Sequence, residues 1–261
     1  DGTEPLTELT WADETLVGPA LTDLRDRSGA DIGDIGILFV GQSLGYIVGS
    51  FTGGRLFDRF HSHRVFAGSL VLLYIGQEVL NARLPDIFTP IGRLRPSDAV
   101  AAWMQGVPGL ATAEAVWRHL SYAFVHGNLM HIAFNVWVLL DLGRVYEARR
   151  NWGSLLMAFV FGAVMGAYLT GIAQPGQVQL LIGASGGVLG LGGALLADSL
   201  RSGLASDRQL TRSLLQWIVL IVLFSIAIPN VSLWGHVGGL VGGLLWGFMR
   251  QGLPRSRRVD L

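Results

Sequence analysis

The sequence predicts an all-α, polytopic membrane protein, a bundle of seven helices. Three observations carry this expectation. Of the 261 residues, 51% are hydrophobic and 15% charged, with a mean hydropathy of +0.46, which is too apolar for a soluble domain of this length. The apolar residues fall into seven runs of helical length, at about 35–57, 64–81, 125–143, 153–173, 183–199, 213–229 and 233–250. Thirty-six glycines supply the small residues through which helices approach one another in lipid, where little hydrophobic force drives them together.

Taken in order, the chain opens with nine acids against two arginines in its first 34 residues. No basic stretch precedes an apolar one there, so no cleavable signal peptide is expected. Arginines then set the orientation, because basic residues in short loops favour the cytoplasmic side. Arg59 and Arg64 follow the first span, Arg144, Arg149 and Arg150 the third, Arg201, Arg208 and Arg212 the fifth, and Arg250, Arg255, Arg257 and Arg258 the last. The links QPGQVQ (174–179) and PN (229–230) carry none. The expected topology has the N-terminus outside and the C-terminus in the cytoplasm, with the tail from Arg250 as a positive-inside anchor. The link 82–124 contains Arg83, Arg93, Arg95 and Arg118 yet must face outside; its length weakens the rule and predicts structure of its own. Gln77 and Glu78 interrupt the end of the second span.

This topology brings three polar motifs to the outer face: HGNLMHIAFN (126–135), GASGG (183–187) and His236. Polar groups inside a bilayer are expensive, usually face the bundle interior and point first to function. Ser185 and His236 have the chemistry of a nucleophile and its general base. A serine at a helix N-terminus also has backbone N–H groups beside it that suit a developing oxyanion. His131 and Asn135, four residues apart on one side of a helix, supply further donors. Asp198 lies about 20 Å along the helix from Ser185, and Asp141 about 15 Å from His131, so the expectation is a dyad with no acid. Gly183, Gly186 and Gly187 are expected to meet Gly239 and Gly243, bringing nucleophile and base together.

Each motif also has a blander reading. GASGG alone is more often helix packing than a nucleophile; His236 and the HxxxxHxxxN pattern change that balance. His126 and His131 as metal ligands are disfavoured by their i,i+5 spacing and the lack of HExxH, and an aspartyl protease by the lack of GxGD. No metal, cofactor or nucleic-acid partner is expected. Trp217 and Phe224, seven residues apart, suit either lipid-facing bulk or a substrate gate.

In order and spacing these residues resemble the rhomboid intramembrane serine proteases, over about residues 64–250. The resemblance rests on Trp117–Arg118, HGNLMHIAFN, GASGG and HVGGLVGG (236–243). It implies Ser185 as nucleophile and His236 as base. It further implies His131, Asn135 and the Ser185 backbone as oxyanion donors, with His126 at the outer rim and Gly183 beside the nucleophile. Glu147 matches a family position at the cytoplasmic end, and Leu189 stands where the family usually has an aromatic ring packed on the histidine. Separately, GGRLFDRFHSHR (53–64) is similar to the loop signature of major facilitator transporters, over about residues 16–73. Too few helices are present for transport.

The organisation the resemblance implies is therefore an acidic segment with one extra transmembrane helix (1–63), a six-helix rhomboid-like core (64–250) and a basic tail (251–261). The expected activity is cleavage of other proteins' transmembrane segments, with the lipid bilayer as surroundings, in a bacterial cytoplasmic membrane with the site toward its outer face. A helix must unwind to expose the scissile carbonyl, so small or helix-breaking residues are expected near the cut. The alternative is a catalytically silent relative that binds membrane helices.

Overall fold

The computed structural model describes residues 59–80, 105–107, 118–173, 179–202, 204–228 and 231–250. The chain divides between Arg59 and Phe60, so the described residues belong, Arg59 aside, to the unit beginning at Phe60. The expected extra helix (35–57), most of the transporter-like stretch, Trp117 and the tail beyond Arg250 lie outside the described residues.

The helices are α1 (Ser62–Leu80), α2 (Arg118–Ser121), α3 (Leu129–Glu147), α4 (Trp152–Ala173), α5 (Ser185–Ser202), α6 (Ala205–Ala227) and α7 (Leu233–Met249), with a 3-10 turn at Tyr122–Phe124. Among the described residues, α4 and residues 207–227 of α6 are long and apolar enough to cross a bilayer alone. The pair 118–124 and 129–147, bent by 101°, would make a third crossing, and α7 is a shorter apolar helix. Helices thus occupy six of the seven expected runs, but length and hydropathy single out fewer of them as crossings.

Two short strands add to the all-α expectation. β1 (Gln105–Val107) pairs antiparallel with β2 (Gln179–Leu181), with Gln105 opposite Leu181. Three residues are too few for alternation to be read in a sequence. The link 82–124 carries β1 and α2, so it has the local structure its length predicts.

α5 sits at the centre. Every residue from Gly186 to Ser199 is buried, as expected of a helix apolar on all sides. α4 and α7 flank it with their backbones close. A Cβ at Gly162 would come within 2.7 Å of Gly190 Cα, one at Gly239 within 2.9 Å of Gly186 Cα, and one at Gly243 within 2.7 Å of Gly190 Cα. The glycine expectation is therefore corrected in part: Gly186 meets Gly239 as expected, but the partner of Gly243 is Gly190. Gly187 instead receives the ring of Phe159, 2.5 Å from where a Cβ would stand. α6 is the most open of the long helices, with Leu215, Val219, Leu220, Leu223, Phe224 and Ile226 exposed.

Local chemistry sets the ends. The Asn128 side chain caps α3 by accepting from His131 N at 2.8 Å, and Ser232 caps α7 by accepting from Gly235 N at 3.0 Å. The start of α1 is capped from another helix: Glu147 at the end of α3 accepts from Ser62 N at 2.9 Å and meets His63 Nδ1 at 2.5 Å. At the far end of α5 from Ser185, Asp198 accepts both Arg150 Nε and Nη2 at 3.0 Å and pairs with Arg250. Arg250 Nη1 also donates to Tyr146 Oη at 2.7 Å and Ser154 Oγ at 2.6 Å. The reading of Arg250 as a simple anchor is thus corrected: its side chain is 2% exposed and ties α7 to α3, α4 and α5.

Candidate active site

Ser185 is the first residue of α5, at the end whose N–H groups have no partner within the helix. His236 lies in the first turn of α7. The glycine contacts between α5 and α7 put their side chains in reach: His236 Nε2 is 2.8 Å from Ser185 Oγ. The other ring nitrogen is engaged by a residue the sequence reading missed. Ser225, on α6, places its Oγ 2.6 Å from His236 Nδ1 and donates to Ile221 O at 2.6 Å. A serine in an apolar helix is a weak signal, since such hydroxyls commonly bond back to the carbonyl four residues earlier.

The approach to Ser185 is a tight turn. Gly183 has φ +105°, in the left-handed region open chiefly to glycine, and its N–H donates to Tyr122 O at 3.1 Å. A Cβ there would stand 2.5 Å from His131 Nε2 and 2.6 Å from Cε1. Gly183 therefore turns its α-carbon toward His131 of α3. Tyr122 is a second residue missed: fully buried, it donates from Oη to Ala163 O at 2.7 Å and so joins α4 to the turn before Ser185.

His126 lies before α3, where the chain bends, so the expected span 125–143 begins four residues late and the i,i+5 face argument does not apply. The rings of His126 and His131 meet edge to face at 5.1 Å. The His126 backbone is held on both sides by Gln77 of α1: His126 N donates to Gln77 Oε1 at 2.9 Å, and Gln77 Nε2 donates to His126 O at 2.7 Å. The polar residue that interrupted the second span is thus a clamp on the histidine segment. Gly127 N donates to His131 Nδ1 at 3.4 Å, which leaves the neutral ring's proton on Nε2, the atom facing Gly183. Asn135 is buried and donates one amide hydrogen back to His131 O at 2.9 Å. Among the described residues no group of three His, Cys, Asp or Glu is placed to hold a metal.

Trp217 and Phe224 occupy different settings. Trp217 is half-buried over Gly192 of α5, its Cζ3 3.3 Å from where a Cβ would be. That is a helix seam and not lipid-facing bulk. Phe224 is exposed and stacks on Phe134 of α3 at 6.5 Å and 19°, so this ring sits where α6 meets α3. Leu189, one turn beyond Ser185, is buried.

Apolar helices closed around a hydrogen-bonded serine and histidine define a helical membrane protein with a candidate nucleophilic centre. The chain belongs to the rhomboid family: the Rhomboid domain model matches residues 113–252, just over half of the sequence. It is 29% identical over 140 residues to rhomboid protease GluP of Bacillus subtilis, covering 54% of this chain and 27% of that protein. It is 32% identical over 158 residues to rhomboid protease GlpG of Serratia proteamaculans, covering 58% and 54%. It is also 26% identical over 147 residues to inactive rhomboid-related protein 2 of Caenorhabditis elegans, covering 51% and 40%. The matched stretch spans well under two thirds of each of these relatives. The match begins at residue 113 and does not reach the transporter-like stretch.

Proposed function

We propose that this chain is an intramembrane serine endopeptidase that cleaves transmembrane segments of other proteins. The observation that carries this is the 2.8 Å contact between His236 Nε2 and Ser185 Oγ at the start of α5. Ser185 Oγ attacks the scissile carbonyl while His236 Nε2 takes its proton, then returns it to the leaving amine. The carbonyl oxygen, now charged, accepts from the Ser185 N–H, His131 Nε2–H and the second amide hydrogen of Asn135. Water then hydrolyses the acyl-enzyme with His236 again as base. His126 supports the rim, and α6 with Phe224 provides the gate through which a substrate helix enters beside Phe134, with Trp217 as its fixed side. The site opens to the outer face of a bacterial cytoplasmic membrane. Residues 1–63, which hold most of the transporter-like stretch, and the tail 251–261 take no share in the chemistry.

The similarity to a relative named inactive, together with Leu189 in place of an aromatic ring, supports a second reading as a silent helix-binding protein. Labelling with a serine-reactive fluorophosphonate and cleavage of a reconstituted transmembrane substrate separate the two. The protease reading expects labelling and turnover that both vanish in Ser185→Ala and His236→Ala. A folded wild-type chain that is neither labelled nor active would establish the silent reading.

A further inference from the structure

We propose that Ser225 is the third member of the site, a positioning residue that fixes the tautomer of His236. The proposal rests on the reading of Ser185 and His236 as nucleophile and base, and goes beyond it. A serine hydroxyl has one proton and two lone pairs. The Ile221 carbonyl, 2.6 Å from Ser225 Oγ, can only accept, so the Ser225 proton is committed to it. What Ser225 Oγ turns toward His236 Nδ1, also at 2.6 Å, is therefore a lone pair. Nδ1 must carry the hydrogen of the neutral imidazole, and Nε2 is left with its lone pair toward the Ser185 hydroxyl.

The result is one directed chain of hydrogen bonds: Ser185 O–H to His236 Nε2, His236 Nδ1–H to Ser225 Oγ, Ser225 O–H to Ile221 O. Reversed, it would leave Nε2 protonated and unable to accept from Ser185. In a serine–histidine–aspartate triad a carboxylate selects this tautomer. Here a neutral hydroxyl does so, and it brings no buried charge into a part of the bundle where Ser225 is 5% exposed. When His236 becomes imidazolium, the Ser225 oxygen dipole faces the new charge, and no group needs to reorient. Because Ser225 follows Phe224 on α6, His236 is in its working tautomer only while α6 is seated against α7.

The test uses the full chain in detergent, with histidine labelled by 15N. The imidazole signal absent from His236→Ala is assigned to His236. In wild type it should show a protonated Nδ1 and an unprotonated Nε2. In Ser225→Ala the two nitrogens should lose that fixed assignment, and kcat should fall about a hundredfold with KM unchanged, since misplacing a reacting group by about 1 Å costs that much. Ser225→Thr, which keeps the hydroxyl, should restore both. A wild-type spectrum with Nε2 protonated, or a Ser225→Ala enzyme with wild-type kcat, would overturn the proposal. The wild-type spectrum needs no variant to fold. If no turnover is found in any form yet the spectrum behaves as described, the protease reading fails and the role of Ser225 stands.

Discussion

Gly239 rests its α-carbon face directly on the backbone of Gly186, the residue after Ser185: a Cβ added at Gly239 would come within 2.9 Å of both Gly186 Cα and its carbonyl carbon. No side chain stands between the two helices at the point that sets Ser185 relative to His236. Gly239→Ala must therefore force α5 and α7 apart, at about 1–3 kcal/mol of stability. Its effect on rate should exceed that, on the order of a hundredfold, because the error falls between reacting groups. Gly76→Ala, which meets open space within 4 Å, should leave turnover unchanged in the same cleavage assay.

Asn135→Ala removes one proposed oxyanion donor while the Ser185 N–H and His131 remain. Turnover should fall by roughly ten- to a thousandfold, with KM little altered. A variant with wild-type kcat would remove Asn135 from the oxyanion site.

The two aspartates that the sequence sets several helical turns from the polar motifs separate in the structure. Asp141 is 66% exposed and pairs loosely with Arg144 at 3.7 Å, so Asp141→Asn should change neither rate nor thermal midpoint measurably. Asp198 is 7% exposed between Arg150 and Arg250. Asp198→Asn leaves two buried guanidinium groups without their counter-charge and should cost roughly 3–5 kcal/mol. It should appear as a lowered midpoint in detergent, with near-normal kcat for the protein still folded.

Gln77 bears on the site from a distance. Gln77→Leu keeps the volume but strands the His126 N–H and carbonyl, each buried group costing about 1–3 kcal/mol when unpaired. Lower thermal stability and reduced turnover are expected together. Gln77→Glu retains the acceptor for His126 N and should recover part of the loss.

Two residues just before the expected start of the core contact it. Ser62 and His63 are tied to Glu147 at the end of α3. A chain beginning at Phe60 should keep fluorophosphonate labelling, whereas one beginning at Arg64 loses these bonds and should unfold at lower temperature. Loss of labelling from the Phe60 chain would show that the preceding residues are integral.

What the sequence made legible was the helix positions and the polar pair that the fold brings into contact, Ser185 and His236, because both leave strong signals. Apolar runs mark α4 and α6, and Ser185 and His236 stand out as polar groups amid glycine and aliphatics. What it hid were partners defined only by tertiary contact. Ser225 looks like an ordinary back-bonding serine, Gln77 like a helix-end irregularity, and Arg250 like a membrane anchor; each has its meaning in a residue at least eleven positions away. The glycines were legible as a class but not one by one, since Gly183, Gly186 and Gly187 face His131, Tyr122 and Phe159 respectively.

The chain order of the site has a consequence for biosynthesis. Ser185 opens α5, Ser225 arrives with α6, and His236 comes on α7, the last described helix. The strand β1 emerges early and finds its partner β2 only after α4 has been made. Chains are synthesised from the N-terminus, so a half-inserted polypeptide holds Ser185 without His236. On the proposed protease reading, reactivity dawns only when α7 has entered the membrane, and until then the nascent protein is harmless to its neighbours and to itself.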